Sequence, residues 1–268
     1  MGGMTSVPSY TDVELPGQRV TSSTLQTVVM RYVVAGEMAS GRRVLELGCG
    51  PGIGLEYLQK CGASDVTGAD RDAGLLRMAR GQTSADLSLV QCDAMRLPFK
   101  QGAFDVVLLL EVFMYLSDPV AVLRDIGRVL DVGGTVLLSM PNGVTLGVPP
   151  SGAIVRFYSG GEVGELLREA GFAPEVFGVF PFREGAEEKA TLQRMASRVL
   201  DGMERCGFPA GLRTRLTSVV LRKNCQLPVR IQSSHRQLLC EGEQGMERLF
   251  GAPDECRVLY ARGVAAHR

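Results

Sequence analysis

The stretch Arg43-Val44-Leu45-Glu46-Leu47-Gly48-Cys49-Gly50-Pro51-Gly52-Ile53-Gly54 constrains this chain more than any other. Val44, Leu45 and Leu47 read as a short buried strand that ends on an acid and a cluster of breakers. Gly48, Gly50 and Gly52 give the backbone access to φ > 0 and let it approach a ligand with no Cβ in the way. The helix that follows, Leu55 to Lys60, turns its first amides back towards that loop. Strand, glycine turn and helix in this order suit a nucleotide-like ligand at the carboxyl end of a parallel sheet.

Spacing decides which ligand. The dinucleotide fingerprint requires Gly-x-Gly-x-x-Gly. Counted from Gly48 the sixth place is Ile53, and counted from Gly50 it is Leu55, so the fingerprint fails in both registers. Glu46 to Gly52 instead reads Glu-x-Gly-x-Gly-x-Gly, which resembles the first motif of class I S-adenosylmethionine-dependent methyltransferases. The plain alternative is a structural strand-to-helix turn. The resemblance implies a doubly wound, mostly parallel α/β sheet, S-adenosyl-L-methionine as cofactor, and Glu46, Gly48, Cys49, Gly50 and Gly52 among its contacts.

At 268 residues and 45% hydrophobic content the chain can form one sizeable α/β domain with an elaboration. A formal net charge of zero gives no electrostatic argument for nucleic acid or an anionic membrane. The seven cysteines form no Cys-x-x-Cys pair, so neither a zinc site nor a disulfide framework is expected, and a reducing cytoplasm fits them. Met1 to Pro16 shows no signal-peptide pattern, and apolar runs such as Val106 to Leu110 are too short to span a bilayer.

From Thr24 the positions Leu25, Val28, Val29, Tyr32 and Val33 repeat at helical spacing, predicting an amphipathic helix that ends near Gly36 or Gly41. Tyr32 is expected in the core, the alternative being the cofactor side. Asp65 to Asp70 is a second strand ending in an acid. Asp70 lies about twenty residues beyond the glycines, where this architecture places a carboxylate on the ribose hydroxyls. Asp72 is the expected N-cap of Ala73 to Arg80, and Arg71 could lie along the adenine. Leu87 to Cys92 is a third strand. The resemblance places Asp93 on the adenine amine and the Ala94 amide on a ring nitrogen; a turn-initiating Asp is the competing reading.

Phe104 to Leu110 has the uniform apolar character of a central parallel strand. The resemblance makes the Leu110 carbonyl a partner for the cofactor's amino group. Related sequences often continue Glu-Val-Leu-Glu-His; here Glu111-Val112-Phe113-Met114-Tyr115 puts Tyr115 in place of the histidine. Asp118-Pro119 opens a helix that Gly133-Gly134 is expected to close, followed by a strand from Thr135 to Met140. Ser159 to Ala170 reads as a helix, Glu175 to Phe182 as a sixth strand, and Arg257 to Val264 as a last, antiparallel strand. The predicted organisation is an irregular segment over 1–23, the cofactor-binding core over 24–182, a helical insertion over 183–254 and the last strand with its tail over 255–268. The insertion, with helical patterns from Leu192 to Met203 and Leu212 to Val220, is read as a lid or substrate-binding part.

Transfer to a hydroxyl benefits from a general base. The candidates are His235, the only internal histidine, with Glu111 and Tyr115 as weaker ones; for His235 an exposed polar role is the plainer reading. The expected function is methyl transfer to a small-molecule acceptor, most readily a hydroxyl of a sugar or specialised metabolite. N- or C-methylation, a catalytically inactive binding module and a nicotinamide-dependent oxidoreductase are the alternatives. The sequence leaves the oligomeric state open.

Overall fold

Strand β1 (Arg43–Leu47) sits in the middle of the sheet because both of its faces are apolar. Val44 packs into one helical layer, and Leu45 and Leu47 into the other. A computed structural model describes residues 14–84, 86–146, 150, 152–181, 225–235, 250–253 and 256–265. The remaining core strands are β2 (Asp65–Asp70), β3 (Ser88–Gln91), β4 (Phe104–Leu110), β5 (Leu130–Pro141), β6 (Phe172–Pro181) and β7 (Cys256–Ala265). Their order is β3-β2-β1-β4-β5-β7-β6, with the two-residue piece Phe250–Gly251 on the outer edge of β6. Neighbours from β3 through β5 run parallel, whereas β7 runs antiparallel to both β5 and β6. This is the doubly wound, mostly parallel sheet expected, with the last strand reversed as predicted.

Alternation along the strands builds two cores. Val106, Leu108 and Leu110 of β4 face α1 (Ser22–Glu37), α2 (Leu55–Lys60) and α3 (Ala73–Gln82). Val107 and Leu109 face α4 (Pro119–Val129) and α5 (Gly160–Glu169). The caps are those the sequence marks. Asp72 accepts from the amides of Gly74 and Leu75, Asp118 caps α4 with Pro119 behind it, and Ser159 forms a capping box with Glu162.

Three boundaries depart from expectation. Helix α4 stops at Val129, because Leu130 enters the core paired with Phe104. Gly133 and Gly134 therefore do not close the helix; they sit in a bulge, and the pairing resumes only at Thr135 opposite Val106. Strand β6 starts at Phe172 rather than Glu175, since Gly171 (φ +90°) turns the chain and Phe172 is buried at once. The first segment is not wholly irregular: Arg19–Val20 pairs antiparallel with Cys225–Gln226.

That pairing leads the described residues 225–235 on to the first helical layer. Leu227 and Ile231 are buried among residues of α1 and α2. The Ile231 amide donates to the Ile53 carbonyl at 2.8 Å, and Arg230 pairs with Glu56 on α2 at 2.9 Å. The two expected helical patterns, Leu192 to Met203 and Leu212 to Val220, lie outside the described residues, as do positions 1–13 and His267.

Candidate active site

The order reverses between β1 and β4, and at such a switch point the loops leaving the carboxyl ends of the strands part to form a crevice. A cavity of about 650 Å³ lies there. Its wall comes from the loops after β1, β2, β3 and β4, from Arg31 and Tyr32 on α1, and from Glu14 and Ala153.

The glycine loop adopts the conformation its residues allow, with φ +75° at Gly48, +53° at Gly50 and +76° at Gly52. Its amides are spent internally. Those of Gly48 and Cys49 both donate to the Ala69 carbonyl, that of Gly50 to Asp70 Oδ2 at 2.9 Å, and that of Gly52 to the Cys49 carbonyl. A phosphate-binding loop keeps such amides for its ligand, so this loop is a bare backbone surface without an anion cradle. Gly48, Cys49 and Gly50 line the cavity. Gly52 does not: a Cβ there would sit 3.0 Å from that of Ala79, so this glycine serves the packing of the loop on α3. The missing sixth-place glycine and the internally bonded amides argue together against a dinucleotide.

Glu46 is the most unusual group on the wall. Period-two alternation turns it to the α1 side of the sheet, where it is 2% exposed. Its Oε1 accepts from the Tyr32 hydroxyl at 2.8 Å, and its Oε2 is buried with no hydrogen-bond partner among the described residues. Burial pushes its pKa up to about 8, against the lowering effects of Tyr32 and Arg31. Tyr32 is thus both core and site: it is buried, as expected, yet its hydroxyl holds the carboxylate on the cavity wall. Gly54 makes room for its ring, which lies 1.8 Å from where a Cβ at position 54 would be.

Arg31 extends the same polar group. Its two terminal nitrogens donate to both oxygens of Glu14 at 2.7 and 3.0 Å, and its Nε lies 3.5 Å from Glu111 Oε1. Burial disfavours the charged guanidinium, but Glu14 and Glu111 outweigh it and hold Arg31 protonated. Glu111 follows β4 in the left-handed region at φ +60°, with its amide donating to the Ser139 carbonyl. Its Oε1 accepts from Ser139 Oγ at 3.3 Å. Burial raises its pKa, with Arg31 acting the other way. Behind this group the fully buried Tyr260 hydroxyl has no hydrogen-bond partner among the described residues.

On the other side of the glycine loop, Asp70, Arg71, Asp93 and Ala94 line the cavity. Asp70 takes the Gly50 amide on one oxygen and the Asp72 amide on the other, both at 2.9 Å. A carboxylate oxygen offers two acceptor sites, so each keeps one for a ligand hydroxyl. Asp93 Oδ1 accepts from the Met95 amide at 2.9 Å. The turn reading of Asp93 therefore holds, and it coexists with a place on the cavity wall. Leu110 and Tyr115 also reach the cavity, Tyr115 from the short turn Phe113–Tyr115.

His235 is not brought there. It is absent from the cavity wall, and its Nδ1 accepts from the Gln232 amide at 2.9 Å, closing the local turn at Ser233–His235. The expectation of His235 as the cleft base is not met by this geometry. Arg31 and Glu14 were missed by sequence reasoning. The usable signal was an arginine inside the otherwise apolar run Val28 to Gly36; Glu14 carried none.

Residues 45–138 match the methyltransferase domain family. Over these residues the chain resembles the class I S-adenosylmethionine-dependent methyltransferases. The matched methyltransferase domain runs from β1 into β5 and so contains the glycine loop and the strand ends that build the cavity. The chain is similar to a ubiquinone biosynthesis O-methyltransferase of Methylococcus capsulatus, 32% identical over 130 residues, which are 47% of this chain and 54% of that protein. It is 29% identical over 108 residues to methyltransferase GfsG of Streptomyces halstedii, covering 38% and 39% of the two chains. The chain thus spans about half the length of the first curated relative or less of the second. Among solved structures, an S-adenosylmethionine-dependent methyltransferase from Mesorhizobium loti superposes with a TM-score of 0.53 at 15% identity, over 87% of this chain and 97% of that one. Phosphoethanolamine N-methyltransferase 2 of Haemonchus contortus, solved with S-adenosyl-L-methionine, gives 0.55 at 18% identity over 89% and 52%. At these identities the superpositions establish the methyltransferase domain's fold. Among the described residues no helix is long and apolar enough to cross a membrane, and no cluster of His, Cys, Asp and Glu is arranged to hold a metal ion.

Proposed function

We propose that the chain is an enzyme that binds S-adenosyl-L-methionine and transfers its methyl group to a small-molecule acceptor, at a hydroxyl of a sugar or specialised metabolite. The observation that carries this reading is Glu46 Oε2, a buried carboxylate oxygen without a partner on the wall of a cavity. An unpaired buried acceptor is costly, and a ligand ammonium group would relieve it. The internally bonded glycine loop favours a nucleoside without phosphates. Asp70 has acceptor capacity for two ribose hydroxyls, while Asp93, Ala94, Arg71 and Leu75 frame the slot proposed for the base. The Leu110 carbonyl joins Glu46 at the amino-acid end, with the Arg31 guanidinium beside them.

Bound there, the sulfonium supplies an already activated methyl group, so the protein's main task is alignment. Met114, Tyr115 and Leu116, with Ala153, form a largely apolar flank beyond Glu111 on which an acceptor can lie. The 183–254 stretch completes the acceptor side in this reading. Its described piece packs on Ile53, and it leaves and rejoins the sheet at the cavity end. The free thiols among the described residues suit a reducing, cytoplasmic setting.

The test is calorimetric titration with S-adenosylmethionine and S-adenosylhomocysteine, with NADH as the competing ligand. Micromolar binding of the first two, weakened about tenfold or more by Asp70→Ala, is the expected result. Binding of NADH in their place would overturn the reading.

A further inference from the structure

We infer that Glu111 is the group that takes the proton from the acceptor's hydroxyl during methyl transfer. This inference rests on the proposed function.

Three independent features single out Glu111. First, it stands at the carboxyl end of the central strand β4 and lines the cavity between the amino-acid end, marked by Glu46, and the apolar flank of Met114, Tyr115 and Leu116. Secondly, its backbone is held at φ +60°, a strained conformation for a non-glycine residue that persists where the surroundings enforce it. Here the enforcing contacts are the bond from the Glu111 amide to the Ser139 carbonyl and the register of β4 against β5. Thirdly, its two oxygens are treated differently. Oε1 is anchored by Ser139 Oγ at 3.3 Å and by Arg31 Nε at 3.5 Å, while Oε2 takes no hydrogen bond among the described residues. A carboxylate fixed through one oxygen presents the other in a defined direction, as a base in a catalytic site requires.

The groups around it set its basicity. Arg31 from α1 favours the carboxylate, and Glu14 ahead of α1 opposes it. Ser139 on β5 donates to it, and the Tyr260 hydroxyl on β7 lies behind it as a neutral neighbour. Burial outweighs the guanidinium, so the carboxyl binds a proton more readily than one in water. His235 does not compete for the role, for the reasons given above.

The step balances as follows. The acceptor's O–H proton passes to Glu111 Oε2 while its oxygen bonds to the methyl carbon. The bond from that carbon to the sulfonium sulfur breaks, and its electron pair stays on sulfur. The products are a methyl ether, a neutral thioether and a protonated Glu111, which returns its proton to solvent.

Two probes test this without knowledge of the acceptor. One is S-adenosylhomocysteine. The other is its analogue in which the sulfur is replaced by a carbon bearing a primary amine, so that an ammonium occupies the place of the transferable methyl. A carboxylate aimed at that place makes the wild-type protein bind the amine about tenfold more tightly than the thioether. Glu111→Gln is expected to lose most of that preference, whatever its absolute affinity for the thioether. A Glu111→Gln variant that keeps the preference, or a wild type that shows none, overturns the inference and leaves the proposed function standing. Failure of the wild type to bind either probe overturns both.

Should Glu111→Gln prove misfolded, Glu111→Asp, which keeps the charge and withdraws it, decides in its place. Reduced preference supports the inference, and unchanged preference overturns it. Within the wild type, the preference should also shrink on acidification as Glu111 takes up a proton; a preference that does not fall with acidification counts against it.

Discussion

The Tyr32 hydroxyl donates to Glu46 Oε1 at 2.8 Å, tying the first helix to the end of the central strand through a bond that is wholly buried. Glu46 has no second donor, since its Oε2 is unpartnered. Tyr32→Phe therefore leaves a buried carboxyl with no hydrogen-bond donor in the protein. It should lower the stability of the ligand-free protein by about 1–3 kcal/mol. The loss should be larger at alkaline pH, where Glu46 is charged, than near pH 6, where it is protonated. Urea unfolding of both proteins at the two pH values measures this.

Glu46 itself makes a signed prediction. Its pKa rises from 4.5 to about 8 on folding, with burial the leading cause. Between those values the native state holds a proton that the unfolded chain has released. Unfolding free energy must then fall as pH rises through that window and stay low above it. Glu46→Gln removes this dependence. The variant should melt at least about 3 °C higher than the wild type at pH 9 without ligand, yet bind S-adenosylmethionine about tenfold or more weakly. Paired melting curves and titrations would show stability and binding moving in opposite directions; a variant that loses both contradicts the assignment.

Gly50 and Gly54, four residues apart in the loop, should fail differently. A Cβ at Gly54 meets the Tyr32 ring at 1.8 Å, so Gly54→Ala must displace the ring and with it the bond to Glu46. About 2 kcal/mol or more of stability should go, and cofactor binding with it. A Cβ at Gly50 meets nothing within 4 Å, but φ there is +53° and the residue faces the cavity. Gly50→Ala should cost only about 1 kcal/mol in stability and act chiefly on ligand affinity. Thermal melts beside calorimetry separate the two patterns.

At the opposite end of the sheet, Arg43 binds both oxygens of Asp105, at 2.7 and 3.1 Å, and also reaches Asp131 and the Gly102 carbonyl. Its side-chain bond holds Asp105 below the usual carboxylate range. A depressed acid contributes stability above its unfolded pKa and loses that contribution as pH falls through the folded value. Asp105→Asn should cost about 1 kcal/mol at neutral pH, less in acid, and leave ligand binding unchanged. An altered affinity would mean that the two ends of the sheet communicate.

The elements that were legible in the sequence are those set by local chemistry. Glycines at φ > 0 after an apolar strand, Asp72 and Asp118 at helix starts, and Asp70 at a strand end each announce themselves by residue type and position. The bulge at Gly133-Gly134 was misread because a glycine pair after a helical stripe looks the same whether it ends the helix or interrupts a strand; only the burial of Leu130 decides. Arg31 was illegible for a different reason. A charge buried among Val28 to Gly36 is tolerable only because Glu14 and Glu111 lie against it, and those partners come from distant parts of the chain. For His235 the partner is local instead: its Nδ1 accepts from a backbone amide three residues away, in keeping with the plainer, polar reading of this residue.

Strand β7 enters the sheet opposite the end of β6, with Cys256 beside Pro181, and Asn142 Nδ2 fastens that entry by donating to the carbonyls of Pro253 and Cys256. The chain thus leaves β6 and enters β7 at one rim, so that the two ends of the intervening stretch are adjacent posts. Such an arrangement loosens inheritance: this excursion can lengthen or shorten between its described contacts at Cys225–Gln226 and Phe250–Gly251 without moving the register of the seven core strands. A chimera carrying another family member's excursion on this frame would be expected to keep its donor and change its clientele.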